Sequence, residues 1–186
     1  MIVIGASLGG LKALHKLLAG LPRSFPAPVA VVVHRQREPD ALLSLSLQRH
    51  CAMPVIEAGD KETIRPGCVY LGPPDYHLLV DADCFSLSAD EPVKFARPSI
   101  DVLFESAADI LGVAVTGVIL TGSGQDGADG AASVHRRGGL VIVQDPASAE
   151  CSVTPAAALA AVPSARVLPL EQIAESLAQC CNRTTP

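Results

Sequence analysis

Residues 28–34 read PVAVVVH, and between the proline and the histidine no polar side chain interrupts the run. A strand with one face in water alternates apolar and polar residues, so a strand without alternation must be covered on both faces. Covered strands of this kind belong to parallel sheets, whose crossover helices lie over the two faces. Residues 1–5 (MIVIG) form a second such run, followed by a Ser- and Gly-containing turn and then by Leu11, Leu14, Leu17 and Leu18 at helical spacing. The chain therefore opens strand, tight turn, helix, strand.

The same grammar returns later. Ser99–Leu111 carries apolar residues at 100, 103, 104, 107, 108 and 111, one stripe of an amphipathic helix with Ser99 placed to cap it. Val115–Leu120 reads as a strand, 127–137 as a helix stopped by Gly138 and Gly139, and Leu140–Gln144 as another strand. Residues 40–49 suggest a short helix, 54–88 short strands and hairpins, and 170–181 a final helix after a Pro- and Ala-rich stretch from Pro155. The expected class is α/β: a doubly wound, mostly parallel open sheet with helices on both faces, Rossmann-like in outline. Residues 1–182 are expected to form a single domain and 183–186 a tail. In such sheets ligands bind beyond the carboxyl ends of the strands, where the strand order switches.

Composition narrows the function. The 14 Lys and Arg against 19 Asp and Glu give a net charge of −5, the wrong sign for neutralising a phosphate backbone. Aromatic residues are 3% and tryptophan is absent, which leaves little to stack on bases. No nucleic-acid partner is expected. No apolar run approaches the roughly 20 residues of a membrane-spanning helix, and the N-terminus lacks a signal peptide's basic region, so a cytoplasmic location without membrane insertion is expected. The six cysteines show neither C-x-x-C nor zinc spacing and read as mostly buried free thiols.

Three segments carry chemistry. Gly5-Ala6-Ser7-Leu8-Gly9 matches G-x-S-x-G at a strand-to-helix turn, where the glycines permit a bend that projects the Ser7 hydroxyl above the sheet. The turn also suits a helix-capping serine or a bound phosphate. His34 ends the next strand and should emerge at the same edge, within reach of a hydroxyl proton. His77, in a loop after Pro73-Pro74-Asp75, is left without a role. The third segment, residues 120–130 (LTGSGQDGADG), has two readings. Gly122-x-Gly124-x-x-Gly127, with Asp145 closing the next strand, satisfies the spacing of a dinucleotide fingerprint. Against that reading, Asp126 and Asp129 bring negative charge to the turn where a pyrophosphate would need bare amides. In the other reading Asp126 accepts a hydrogen bond from His34, and amides around Ser123 and Gly124 face a developing oxyanion. Ser7, His34 and Asp126 then stand at the ends of three different strands as a candidate triad.

Taken together, IGASLGGLKAL, VVVH, CVYLGPPDYHLLV, RPSIDVLFESAA, VILTGSGQDGADG and VIVQDPASAE, in this order over nearly the whole chain, resemble the catalytic domain of the CheB-type protein-glutamate methylesterases of bacterial chemotaxis. The resemblance implies a doubly wound α/β fold and a catalytic serine, histidine and aspartate at Ser7, His34 and Asp126. It further implies hydrolysis of glutamyl methyl esters on a chemoreceptor's cytoplasmic helices, with deamidation of receptor glutamine as a related activity and no metal or organic cofactor. Leu8 stands where the family commonly has Thr, Ser123 where it usually has Met, and Val153-Thr154-Pro155 where Gly-Met-Pro is typical. Family members commonly carry an N-terminal receiver domain, for which a chain opening on the first catalytic strand has no room. Regulation by phosphorylation within this chain is accordingly not expected. The competing readings are a serine hydrolase for another ester or amide, and a non-catalytic binding module on the same fold.

Overall fold

A computed structural model of the chain describes residues 1–34 and 41–182. Asp40, expected to open a helix, and the expected tail 183–186 lie outside the described residues. In chain order the elements are β1 (Ile2–Ala6), α1 (Gly10–Ala19), β2 (Val29–Val33), α2 (Ala41–Gln48), β3 (Val55–Glu57), β4 (Val69–Leu71), β5 (His77–Asp81) and β6 (Cys84–Ser88). They continue with α3 (Ile100–Leu111), β7 (Thr116–Ile119), α4 (Ala128–Arg136), β8 (Leu140–Gln144), α5 (Val153–Ala161), β9 (Arg166–Leu168) and α6 (Leu170–Asn182).

Seven strands form one parallel sheet in the order β3-β4-β2-β1-β7-β8-β9, and β5 and β6 pair as a separate antiparallel hairpin. The unbroken apolar runs are explained by two cores, one on each face. Ile2, Ile4, Ala6, Val29, Val31 and Val33 point into a core closed by Leu14, Leu17 and Leu18 of α1 and Ile173 and Leu177 of α6. The intervening Val3, Ala30 and Val32 point the other way, into a core with Leu103 and Phe104 of α3, Val134 of α4 and Ala158 of α5. Gly5 shares this second direction, and a Cβ there would collide with Ile100. The glycine lets the start of α3 lie directly against β1.

From β1 the chain runs outward through β2 to β4 and β3, then returns to lay β7 on the opposite side of β1. The order therefore switches at β1, and the crevice beyond the carboxyl ends of β2, β1 and β7 is where such a sheet binds ligands.

The middle stretch holds short strands and a hairpin as expected, β3 and β4 being three-residue members of the parallel sheet and β5 and β6 the hairpin. Two expectations need correction. The Pro- and Ala-rich stretch is helical: Pro155 is the third residue of α5, where the helix has no use for its missing N–H. Of the six cysteines only Cys51 is buried, while Cys68, Cys84, Cys151, Cys180 and Cys181 are half-buried; all six are free thiols.

Candidate active site

The backbone ladder brings Ser7 and His34 side by side. β1 and β2 pair in register up to Ala6 and Val33, and the His34 amide continues the ladder by donating to the Ala6 carbonyl at 3.0 Å. Ser7 and His34 are thus the first residues past the paired ends of adjacent strands, roughly 5 Å apart across the sheet. Ser7 is held on its other side too, its amide donating to the Thr121 carbonyl beyond β7 at 3.0 Å, while its own carbonyl accepts from Gly10 at 2.7 Å. Among the described residues no hydrogen bond occupies the Ser7 hydroxyl.

Asp126 completes the group. It is buried, and its carboxylate accepts four hydrogen bonds: Oδ2 from His34 Nε2 and the Ile100 amide, both at 2.7 Å, and Oδ1 from the Ser99 hydroxyl at 2.7 Å and the Asp101 amide at 3.0 Å. A carboxylate can only accept, so His34 carries a proton on Nε2 and, when neutral, leaves Nδ1 bare. Burial would push the Asp126 carboxyl up, but the hydrogen bonds from His34, the α3 amides and Ser99 outweigh it and hold the group below its ordinary range.

Asp101 repeats this device one helix further on. Its Oδ1 accepts from the Gly127 and Gly130 amides at 2.8 and 2.7 Å, and its Oδ2 pairs with Lys94 Nζ at 2.7 Å. Asp126, just before α4, thus caps α3, and Asp101, in the first turn of α3, caps α4. The two carboxylates lock two helix N-termini to each other. Burial, with Asp126 nearby, pushes the Asp101 carboxyl up despite Lys94. This lattice bears on the dinucleotide-like spacing of the glycine-rich segment: the Gly127 and Gly130 amides at the start of α4 are already bonded to Asp101.

The segment's glycines serve close packing instead. A Cβ on Gly122 would lie 2.5 Å from Thr154 Oγ1 and 2.8 Å from Ser7 Cβ. Thr154 is buried, and its hydroxyl donates to the Gly124 carbonyl at 2.7 Å and accepts from the Gly124 amide at 3.2 Å. Gly124's amide is therefore bonded to α5 through Thr154, a correction to its expected place at an oxyanion. Thr154, visible in the sequence only as a departure from the family pattern, ties α5 to the turn behind Ser7. Gly122→Ala is expected to push Ser7 away from Thr154, destabilising the protein by about 1–3 kcal/mol in denaturant titration, the cost of an overpacked site. The side chains of Leu8 and Ser123 are both exposed and leave this packing undisturbed.

His77 is buried and structural: Nδ1 accepts from the Ser99 amide at 3.2 Å, which leaves Nε2–H to donate to the Glu91 carbonyl at 3.2 Å. A cleft of about 210 Å³ opens beside His34, lined also by Pro74, Asp75, Phe95, Arg97 and Pro98. Among the described residues no group of three or more His, Cys, Asp or Glu side chains could hold a metal, and no helix is long and apolar enough to cross a membrane.

Fold and site define a doubly wound α/β protein with a serine beside a carboxylate-bound histidine at its topological switch point. Comparison with known proteins makes the assignment closer. The family model described as CheB methylesterase matches residues 2–177. The Thermotoga maritima CheB methylesterase catalytic domain superimposes with a TM-score of 0.93 at 34% identity, covering 96% of this chain and 97% of that one. A Leptospira interrogans protein provisionally named protein-glutamate methylesterase/protein-glutamine glutaminase is 45% identical over 94% of this chain and 91% of its own length. Protein-glutamate methylesterase FrzG of Myxococcus xanthus is 39% identical over 96% of this chain. Against FrzG, and against a Carboxydothermus hydrogenoformans relative that is also 39% identical, the chain spans 54% of the relative's length. The chain belongs to the CheB methylesterase family, and so to the carboxylic ester hydrolases.

Proposed function

We propose that the protein hydrolyses methyl esters of glutamyl side chains on the cytoplasmic helices of a chemoreceptor or a similar signalling protein, with Ser7, His34 and Asp126 as its catalytic triad. The names of its relatives pair this activity with deamidation of protein glutamine, which the same chemistry performs on an amide. The observation that carries the reading is the buried Asp126 carboxylate bonded to His34 Nε2 at the edge where Ser7 stands.

In the reaction, His34 Nδ1 takes the Ser7 proton as Oγ attacks the ester carbonyl, and Asp126 balances the imidazolium charge. The oxyanion accepts from the Ser123 amide, which has no acceptor among the described residues. Collapse breaks the bond to the methoxy oxygen, His34 returns the proton, and methanol leaves an acyl group on Ser7. Water, deprotonated by His34, then cleaves the acyl-enzyme to the glutamate carboxylate and restores the serine.

The test is methanol release from methylated chemoreceptor cytoplasmic fragments by the purified protein, with heat-denatured protein as control. An organophosphonate is expected to stop release and to add one adduct mass to the peptide bearing Ser7. Undiminished release from fully modified protein would exclude serine chemistry, and a folded protein that releases no methanol would exclude the substrate.

A further inference from the structure

Among the described residues Phe95 is the most exposed of the large apolar side chains, at 104% of its reference area, and it stands on the lip of the cleft that His34 lines. It sits at the tip of a tight turn in which the Val93 and Ala96 amides donate to each other's carbonyls at 3.1 and 2.9 Å. The two central residues, Lys94 and Phe95, have φ of 49° and 66°. Two successive left-handed residues make the hairpin turn that Asn-Gly fills without strain; here both positions carry long or bulky side chains.

The strained turn is nevertheless fastened firmly. Lys94 Nζ lies 2.7 Å from Asp101 Oδ2 and 2.7 Å from Asp129 Oδ2, and it reaches the Gln125 carbonyl at 3.3 Å. On the other side Arg97 Nη1 donates to the Ala89 and Asp90 carbonyls, both at 2.9 Å. The carboxylate lattice behind the triad thus also anchors the turn that displays the ring. A phenyl group held wholly in water on a strained backbone adds nothing to folding, which points to a use outside the folded chain.

We propose that Phe95 is a specificity-determining residue, packing on an aliphatic side chain of the protein substrate one helical turn from the esterified glutamate. The inference rests on the methylesterase reading and names what that site recognises beyond the ester. A glutamyl ester on an amphipathic helix has such a neighbour three or four positions away, and a rigid aromatic ring is an efficient anchor for it. A small ester offers the ring nothing to cover.

Phe95→Gly separates the two roles. Relief of the left-handed strain is expected to raise Tm by about 2 °C. At the same time kcat/KM on the methylated receptor fragment should fall at least tenfold relative to kcat/KM on p-nitrophenyl acetate, mainly through KM, and Phe95→Leu should restore most of the difference. Equal change on both substrates, in a protein whose wild type demethylates the fragment, overturns this inference alone. Wild-type protein that hydrolyses p-nitrophenyl acetate but releases no methanol from the fragment overturns the methylesterase reading, and the inference with it. Self-association abolished by Phe95→Gly with an unchanged KM would assign the ring to a second copy of the chain and likewise overturn it.

Discussion

Ser7→Ala is expected to lower kcat for methanol release by about 10⁵–10⁶-fold, the scale of losing a nucleophile that acts as one unit with its base. Its effect on folding should be close to nil. The half-buried side chain has no hydrogen bond among the described residues, and what fixes Ser7 in place is its backbone, through Thr121 and Gly10. Alanine keeps those bonds and keeps the Cβ that packs over Gly122. A stability change within about 0.5 kcal/mol is therefore expected, as for substitutions away from buried networks. Methanol release and a thermal melt on the same preparation decide the matter. Activity retained to within tenfold would remove serine chemistry, and activity lost together with a large fall in Tm would make Ser7 a structural residue.

How far this site could be read from the chain depends on which signals are local. β1, β2, β7 and β8 announced themselves because both-face burial abolishes alternation, α1 and α3 because one buried face imposes helical spacing, and α4 because Gly138 and Gly139 end it. With those elements and the switch-point rule, Ser7, His34 and Asp126 fall at one edge, as the structure places them. β3, β4 and β9 have three residues each, too few to establish any period, and β9 is largely exposed besides. α5 was hidden by Pro155, whose disruptive meaning applies to helix interiors and not to the first turn. Asp101 looked like an ordinary first-turn acid. Its true partners, Gly127 and Gly130, lie 26 and 29 residues away, a distance at which sequence carries no mark of contact. The dinucleotide-like spacing had the opposite fault. Gly127 is there for a φ of 104° and for Ile100 and Ile119, each 2.9 Å from where its Cβ would stand. The turn bearing Phe95 was illegible for a related reason, since left-handed Lys and Phe residues leave no compositional trace.

Asp126→Asn is expected to cost both activity and stability, and pH separates its two contributions. An amide has one accepting oxygen where the carboxylate has two, and here both are engaged twice. With NH₂ in the place of Oδ2, it meets His34 Nε2–H and the Ile100 amide. The imidazole can answer only by moving its proton to Nδ1, where it can no longer accept from Ser7. With NH₂ in the place of Oδ1, it meets the Asp101 amide. Either orientation strands a backbone N–H at the start of α3 against a donor and removes the charge that caps the helix. The expected loss is about 10³–10⁴-fold in kcat, as for a histidine held in the wrong tautomer. Stability should fall by about 2–4 kcal/mol at pH 7, the range for breaking a buried, hydrogen-bonded charge. Because the folded-state pKa of Asp126 is depressed, its stabilisation is fully present above the unfolded value of about 3.9 and is lost as pH falls through the lower folded value. Asp101 runs the other way, since its raised pKa makes its contribution largest in acid, so the overall acid limb mixes the two. The difference between wild type and Asp126→Asn isolates Asp126. Denaturant titrations at pH 7 and at about pH 3 should show that difference shrinking in acid, where the unfolded wild-type chain takes up a proton that the folded carboxylate resists. A difference that stays constant between the two would mean that folding leaves the Asp126 carboxyl unshifted, and a difference that grows in acid would mean that Asp126 is not ionised in the folded protein at pH 7, where it could then neither cap α3 with charge nor stabilise a protonated His34.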